Sequence, residues 1–288
     1  MHVADAVGSS EIERFWRDGA LCLRGLFAEW VEPMRAAIEE ALDAPGPLAQ
    51  NPARRDYSAA DHERSASFFI EQGLWSRHAA FRAFAFDSPA ADVAARLLRG
   101  TQVNLFFDQL FVKEPESPEQ RTPWHQDQAY WPIRGRHVVS VWVPFDRVSK
   151  QTGALRYVQG SHLWSERFSP IDFGPKARAL ADIAGTQMPD IDAEPGRYEI
   201  LSWDLEPGDC LIHQGMTVHG SEGNTSASTR RRALSVRFTG DDVRWDPRPG
   251  VLEHIPPMTT LPLTLQDGDR MTCEAFPVTR RGSPTPAD

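Results

Sequence analysis

The sequence predicts a mainly β protein, a sandwich or jelly roll with helices packed against it, and three observations predict this. From Val103 onward, short β-branched and aromatic runs alternate with turn residues, as in sandwiches and jelly rolls. The first hundred residues instead carry amphipathic helical stretches, too few to hold a core of their own. The 288 residues, 41% hydrophobic and 25% charged, suit one large domain, a size that single all-β folds reach. The expected organisation is one domain over residues 1–288, with 1–100 a mostly helical support region and 101–288 a jelly-roll core with insertions.

Taken in order, Ser9 or Ser10 can cap a first helix, in which Ile12, Phe15 and Trp16 form an apolar stripe. Gly19 ends it, and Leu21 and Leu23 alternate in a short strand up to Gly25. A second helix is expected from about Glu29 to Leu42, with Trp30, Met34, Ile38 and Leu42 on one face, stopped by Pro45-Gly46-Pro47. Asn51 to Arg64 is polar and reads as loop, and Phe68-Phe69-Ile70 as a strand or buried turn. Helical stretches follow over 74–84 and 89–98, the second closed by Gly100. Strands are then expected over 103–113, 138–145, 155–158, 198–203, 210–213 and 233–238, with a last one over 271–278. The long gap from Trp164 to Arg197 reads as an insertion with a short helix near 176–183.

Composition narrows the function. A net charge of −9 argues against nucleic acid, since a phosphate-binding surface needs a basic excess. No apolar run approaches a membrane span, and residues 1–10 lack the basic and apolar regions of a signal peptide. Cys22, Cys210 and Cys273 are odd in number and widely spaced, which fits reduced thiols in a cytoplasmic protein. The expected partner is a small molecule, and the expected state a monomer or homodimer.

The chemistry centres on Trp124-His125-Gln126-Asp127. On a strand, residues two apart share a face, so His125 and Asp127 supply two members of a 2-His-1-carboxylate site for non-haem Fe(II). The candidate for the third is His219, in Val218-His219-Gly220-Ser221, after the turn Pro207-Gly208-Asp209. His213 would share a face with His219 in a regular strand, and is the weaker candidate. His137 and His162 read as structural or surface groups. The run Arg230-Arg231-Arg232 opens a strand, where an arginine can grip a carboxylate bidentately from inside a barrel.

In this combination the chain resembles the phytanoyl-CoA dioxygenase family of Fe(II)/2-oxoglutarate oxygenases. The resemblance runs from Phe15 to Gly25, through Val112-Lys113, Trp124-His125-Gln126-Asp127, Gly153-Ala154-Leu155 and Gly160-Ser161-His162. It continues through Pro207-Gly208-Asp209 and His219-Gly220-Ser221 to Arg231-Arg232-Ala233-Leu234. Gln159 stands where many members have proline, a change confined to a turn.

The resemblance implies a double-stranded β-helix (jelly roll, cupin-like) with N-terminal helices supporting the sheet. It implies His125, Asp127 and His219 as iron ligands, with 2-oxoglutarate as co-substrate and O2 as oxidant. Counting back from the alanine of the family's strand gives Arg231 as the co-substrate arginine, whereas counting forward from His219 gives Arg230. Arg231 is preferred because strand alternation is fixed and loop length is not. Ser221, Trp142 and Gln126 are assigned to the same co-substrate pocket. The implied reaction is hydroxylation, desaturation or cyclisation of a small organic metabolite, with 2-oxoglutarate decarboxylated to succinate. Asp127 argues against a halogenase, in which a small residue replaces the carboxylate. Alternatives are an acyl-CoA hydroxylase of the phytanoyl-CoA type, a zinc-dependent hydrolase and a non-catalytic jelly-roll binding protein. Gln109, Tyr130, Trp131, Arg134 and Arg136 are the expected substrate contacts.

Overall fold

A computed structural model describes residues 3–50, 68–171, 180, 183–194, 196–254 and 258–282. Its elements run α1 (Val3–Ala6), α2 (Ser9–Asp18), β1 (Ala20–Leu23), α3 (Val31–Asp43), β2 (Ala49–Gln50), β3 (Phe68–Gln72), α4 (Ala79–Asp87) and α5 (Ala90–Leu98). There follow β4 (Gln102–Lys113), β5 (Thr122–His125), β6 (Ile133–Arg134), β7 (Val138–Pro144), β8 (Leu155–Val158) and β9 (Ile200–Ser202). The chain closes through β10 (Cys210–Gln214), β11 (His219–Ser221), β12 (Arg231–Thr239), β13 (Arg244–Trp245), α6 (Val251–His254) and β14 (Val278–Arg281).

The strands form a double-stranded β-helix. One eight-stranded antiparallel sheet runs β1-β10-β7-β12-β4-β3-β2, with β14 also on β4, and a four-stranded sheet runs β5-β11-β8-β9. Alternation sorts the larger sheet's residues. Val139, Val141 and Val143 of β7 and Leu234, Val236 and Phe238 of β12 meet Phe15, Met34, Ile38, Phe81, Phe84 and Leu97 of the helices in one core. The other face looks toward the smaller sheet, where Trp142, Ala233 and Leu211 pack on Leu155 and Tyr157.

Local chemistry sets the element ends. Gly19 closes α2 at φ 81, in the left-handed region, and donates its N–H to Phe15 O at 2.9 Å. The second helix starts at Val31, after a short 3-10 turn over Ala28–Trp30. Pro33 requires a start close by, because its missing N–H is harmless only in a first turn. The stretch expected as one helix from Leu74 divides into a 3-10 turn, Leu74–Ser76, and α4, because His78 is extended. Arg99, at φ 49, closes α5 in place of the expected Gly100. The last strand begins only at Val278: Cys273 bridges to Phe276 in a turn, and Pro277 has no N–H to donate. The expected loop over 51–64 and most of the short helix near 176–183 fall outside the described residues.

The turn Pro207-Gly208-Asp209 ties the sheet edge to the helical layer. Asp209 accepts hydrogen bonds from Gly25 N and Glu206 N and pairs with Arg24, while Phe27 N donates to Gly208 O. A Cβ on Gly208 would lie 2.8 Å from Ala28 Cα. Any other residue there would push the two turns apart.

Candidate active site

β5 and β11 lie side by side with His125 opposite His219. Gly220 permits this approach, since a Cβ there would meet Thr122 O at 2.9 Å. Ser161, in the turn after β8, accepts a hydrogen bond from Val218 N and donates to Val158 O, fixing the start of β11. The strand ends at His125. Gln126 is extended, and Asp127 opens a 3-10 turn, Asp127–Ala129, so the shared strand face expected for His125 and Asp127 covers only the first of them. The extended Gln126 still turns both side chains inward.

Ligand atoms of His125, Asp127 and His219 lie within 4.8 Å of one another, and all three residues are buried. Asp127 Oδ1 is 3.5 Å from His125 Nε2 and 3.8 Å from His219 Nε2. His125 Nδ1 donates to Pro123 O at 2.8 Å, and His219 Nδ1 to Thr217 O at 2.9 Å. A carbonyl only accepts, so each Nδ1 carries the proton and each Nε2 offers a lone pair to the centre. Burial and the neighbouring His125 and His213 hold the His219 pKa well below the usual imidazole range. These are donors suited to a divalent transition metal.

The other oxygen of Asp127 is held from behind. Ser140 Oγ donates to Oδ2 at 3.3 Å, His213 Nε2 lies at 3.3 Å and Arg237 Nε at 3.5 Å. Burial raises the carboxyl pKa, but Arg237, His125 and His213 outweigh it and hold the group well below the usual carboxylate range. Asp127 is therefore an anion with Oδ1 toward the two histidines. His213 and His219 do not share a strand: they face each other from opposite sheets, ring centres 4.5 Å apart. Tyr157 OH is 3.3 Å from His213 Nδ1, so the phenol donates and Nε2–H points at Asp127.

A second buried cluster lies at the start of β12. Arg231 is 2% exposed and Lys113, paired with it across β12 and β4, is fully buried. Arg231 donates to Gly153 O at 2.7 Å and stands 5.6 Å from the Trp142 ring centre, and its Nε has no hydrogen-bond partner. Lys113 Nζ donates to Ser221 Oγ and Glu222 O, each at 2.9 Å. Among the described residues no carboxylate forms an ion pair with either cation. Burial pushes Arg231 down to about 10, and burial plus Arg231 takes Lys113 well below the usual amine range. Two adjacent buried basic groups with no carboxylate in ion-pair contact, Glu222 acting on Lys113 only at longer range, form a site for an anion. Arg230 points outward to Glu114 and Glu39, and Arg232 to Asp146 and Glu39.

The other expected residues divide. Gln109 lies on the inner face of β4, Tyr130 stands edge-on to His125 with centres 5.7 Å apart, and Trp131 packs on Phe106 and Phe107. Arg134 and Arg136 are exposed, and Arg134 pairs with Asp267 at 2.6 Å. Arg134 and Arg136, expected as contacts where substrate enters, therefore lie at the surface, with β6 carrying Arg134 outward. Gln126 also differs from expectation. Its amide donates to Glu166 O and accepts from Phe168 N, so it fastens the segment after β8 and has no atom turned to the cation pair. Sequence reasoning missed Lys113, Ser140, Tyr157 and Arg237, and undervalued His213. For Lys113 and Arg237 a signal existed, since each is a cation on a strand whose other face is apolar.

Residues 15–233 match the family model for phytanoyl-CoA dioxygenase. The multifunctional dioxygenase prhA of Penicillium brasilianum is 28% identical over 148 residues, covering 48% of this chain and 42% of that protein. A probable phytanoyl-CoA dioxygenase of Caenorhabditis elegans is 27% identical over 157 residues, covering 53% and 48%. The match thus spans about half the length of these curated relatives. Among solved structures, the non-haem carbocyclase SnoK from nogalamycin biosynthesis superposes with a TM-score of 0.69 at 23% identity, over 96% of this chain and 97% of that one. EctD from S. alaskensis, solved with 2-oxoglutarate and 5-hydroxyectoine, gives 0.66 at 20% identity, over 92% and 89%. At these identities the likeness is one of fold. The family model reaches from α2 to the start of β12, through every stretch from which the triad and the cation pair are built: this chain belongs to the phytanoyl-CoA dioxygenase family.

Proposed function

We propose that this protein is a non-haem Fe(II)/2-oxoglutarate-dependent dioxygenase that hydroxylates, desaturates or cyclises a small organic metabolite. The observation that carries this reading is one barrel holding both a 2-His-1-carboxylate triad and a buried cation pair with no described carboxylate in ion-pair contact. His125, Asp127 and His219 would hold the iron, and Arg231, Lys113, Ser221 and Trp142 the 2-oxoglutarate. When bound, the metal supplies O2 activation coupled to oxidative decarboxylation of 2-oxoglutarate to succinate. The protein's part is to bind, orient and exclude water.

The residues divide these tasks. Pro123 O and Thr217 O keep both Nε2 lone pairs free. Arg231 and Lys113 offer N–H groups to the far carboxylate of 2-oxoglutarate, and Trp142 walls the space beside them. Tyr130, Trp131 and Gln109 stand on the substrate side. An intact Asp127 favours C–H oxidation over halide transfer. An acyl-CoA would need free cations for its phosphates, and Arg134, expected near the entrance, is already paired with Asp267 and Asp246. A zinc hydrolase would leave the cation pair without a purpose. We read residues 1–288 as a single domain acting in the cytoplasm as a monomer or homodimer, consistent with a helical layer that shares one core with the large sheet. Among the described residues no helix is long and apolar enough to cross a membrane.

The test is a substrate screen that follows succinate release, with mass spectrometry for gain of one oxygen, with and without O2 and 2-oxoglutarate. Turnover should need Fe(II) and both co-substrates. Product formed without O2 and 2-oxoglutarate would overturn the oxygenase reading.

A further inference from the structure

β12 carries two inward arginines. Arg231 lies at its start and Arg237 six residues later on the same face, about 20 Å away at the rise of a strand. Arg231 stands by Trp142, whereas Arg237 stands by Asp127. The triad therefore lies toward the Arg237 end, and co-substrate held at Arg231 would reach the metal from the other side.

Arg237 is only 4% exposed. Its guanidinium carbon is 4.6 Å from the Phe107 ring centre and 5.2 Å from that of Trp131, and Nε faces Asp127. Nη1 is buried and has no hydrogen-bond partner. Support of Asp127 accounts for Nε and leaves Nη1 unexplained. An orphaned buried donor on a permanent cation calls for an acceptor that is absent from the protein itself.

The same face offers more unused capacity. Gln72 of β3, Gln109 of β4 and Ser235 of β12 lie opposite one another in a row across the sheet. Ser235 Oγ, in a residue 1% exposed, has no partner, and neither has Gln72 Oε1. The opposite face of these strands carries Phe69, Leu110, Leu234 and Val236 in the apolar core, with Glu71 and Asp108 its polar exceptions. A polar row with open hydrogen bonds beside an unpaired guanidinium has the make-up of a recognition surface.

We propose that Arg237 anchors the substrate by a carboxylate, so that the protein oxidises small organic acids, with Gln72, Gln109 and Ser235 engaging the acid's further polar groups. Resting on the oxygenase reading above, this gives the two arginines of β12 parallel tasks. Arg231 takes the carboxylate of the co-substrate and Arg237 that of the substrate, with the metal ligands between.

Formate tests this, being the smallest carboxylate and one that needs no match of shape. Calorimetry is run anaerobically on protein loaded with Fe(II) and saturating 2-oxoglutarate, with formate and neutral formamide as probes. Wild type should bind formate saturably and formamide at least about tenfold more weakly, the worth of a hydrogen bond to a charged group. Arg237→Gln also removes a support of Asp127, so it is titrated with Fe(II) until its loading equals that of wild type. At equal loading it should lose formate binding about tenfold or more. A fall in 2-oxoglutarate affinity as large as the fall for formate would overturn the proposal by assigning Arg237 to the support of Asp127 alone. Arg237→Lys keeps the buried charge and loses the planar fork, and should show much of the same loss if the glutamine variant does not fold. Absence of formate binding to wild type, equal binding of formate and formamide, or unchanged formate binding in either variant would overturn the proposal. Failure of 2-oxoglutarate itself to bind wild type would instead remove the oxygenase reading.

Discussion

The two faces of the eight-stranded sheet are built from alternate residues of the same strands, and their chemistry is opposite. On the helix side β12 presents Leu234, Val236 and Phe238, and β7 presents Val139, Val141 and Val143. On the barrel side the same strands present Arg231, Ser235 and Arg237, with Ser140 and Trp142. The outer face gains stability from apolar burial. The inner face gives some of it back, through two buried basic groups with no described carboxylate in ion-pair contact and several buried polar atoms without partners. Bound ligands would restore the loss by mass action. Inner-face substitutions should therefore change binding far more than stability, and outer-face substitutions the reverse.

The strongest test of that division is removal of a metal ligand. His219→Ala or His125→Ala should abolish turnover and Fe(II) binding, read by equilibrium dialysis, while the thermal melting midpoint of the metal-free protein stays close to wild type. Full activity in purified His219→Ala would sink the assignment. His213→Ala, which removes a support of Asp127, should weaken Fe(II) binding by roughly 10–100-fold.

The outer face should answer in the opposite way. Phe84 is fully buried among Phe27, Trp30 and Phe145. Phe84→Ala should cost about 3–5 kcal/mol in urea unfolding. Folded Phe84→Ala should bind 2-oxoglutarate as wild type does, and a large loss of affinity would mean that the two faces are coupled.

Arg231→Ala should raise the 2-oxoglutarate requirement by an amount equivalent to about 2–5 kcal/mol, the usual result of stripping a buried carboxylate of its charged partner. Lys113→Met should also weaken 2-oxoglutarate, yet stabilise the ligand-free protein, because it removes a buried charge. Arg230→Ala should cost at most about 1 kcal/mol, since its pairs are at the surface. A large effect of Arg230→Ala on 2-oxoglutarate binding would shift the register of β12 by one residue.

The smallest effect concerns an exception on the helix side. Asp108 is fully buried, accepts one hydrogen bond from Trp75 N, and has its pKa pushed up to about 7 by burial, with Glu71 adding to the rise. Between about pH 4, where the unfolded group titrates, and pH 7, the folded chain holds a proton that the unfolded chain releases. Stability contributed by this group is full at low pH and falls as pH rises through that window. Asp108→Asn should remove this part of the slope, read as the difference between wild-type and variant unfolding at pH 5 and pH 8. Parallel profiles for the two would show that Asp108 does not titrate there.

Much of this architecture was legible beforehand, because strand alternation and turn chemistry act over a few residues. The strand over Leu155–Val158 begins and ends where its flanking residues suggested, and Gly19 closes the first helix as its backbone freedom predicts. Errors cluster where a distant partner decides. Met271 to Pro277 has the composition of a strand, but only Val278 to Arg281 finds β4 to pair with. His213 and His219 are near in sequence and invite comparison as neighbours on one strand, whereas the chain crosses between sheets in the five residues separating them. Arg134 and Arg136 adjoin the metal motif in sequence, yet both side chains lie exposed at the surface.

By itself the sequence determined the residue types and their spacing: a His-x-Asp pair, a distant histidine, an arginine run opening a strand, and a fold class able to bring them together. Those are properties of residues a few positions apart, set by covalent geometry and the two-residue period of a strand. Only the tertiary structure decided that Lys113 sits beside Arg231, that His213, Ser140 and Arg237 converge on one oxygen of Asp127, and that Arg237 keeps an unpaired N–H in the interior. Each depends on which strands lie side by side and on what burial does to a charge, and neither is encoded within any single stretch of the chain.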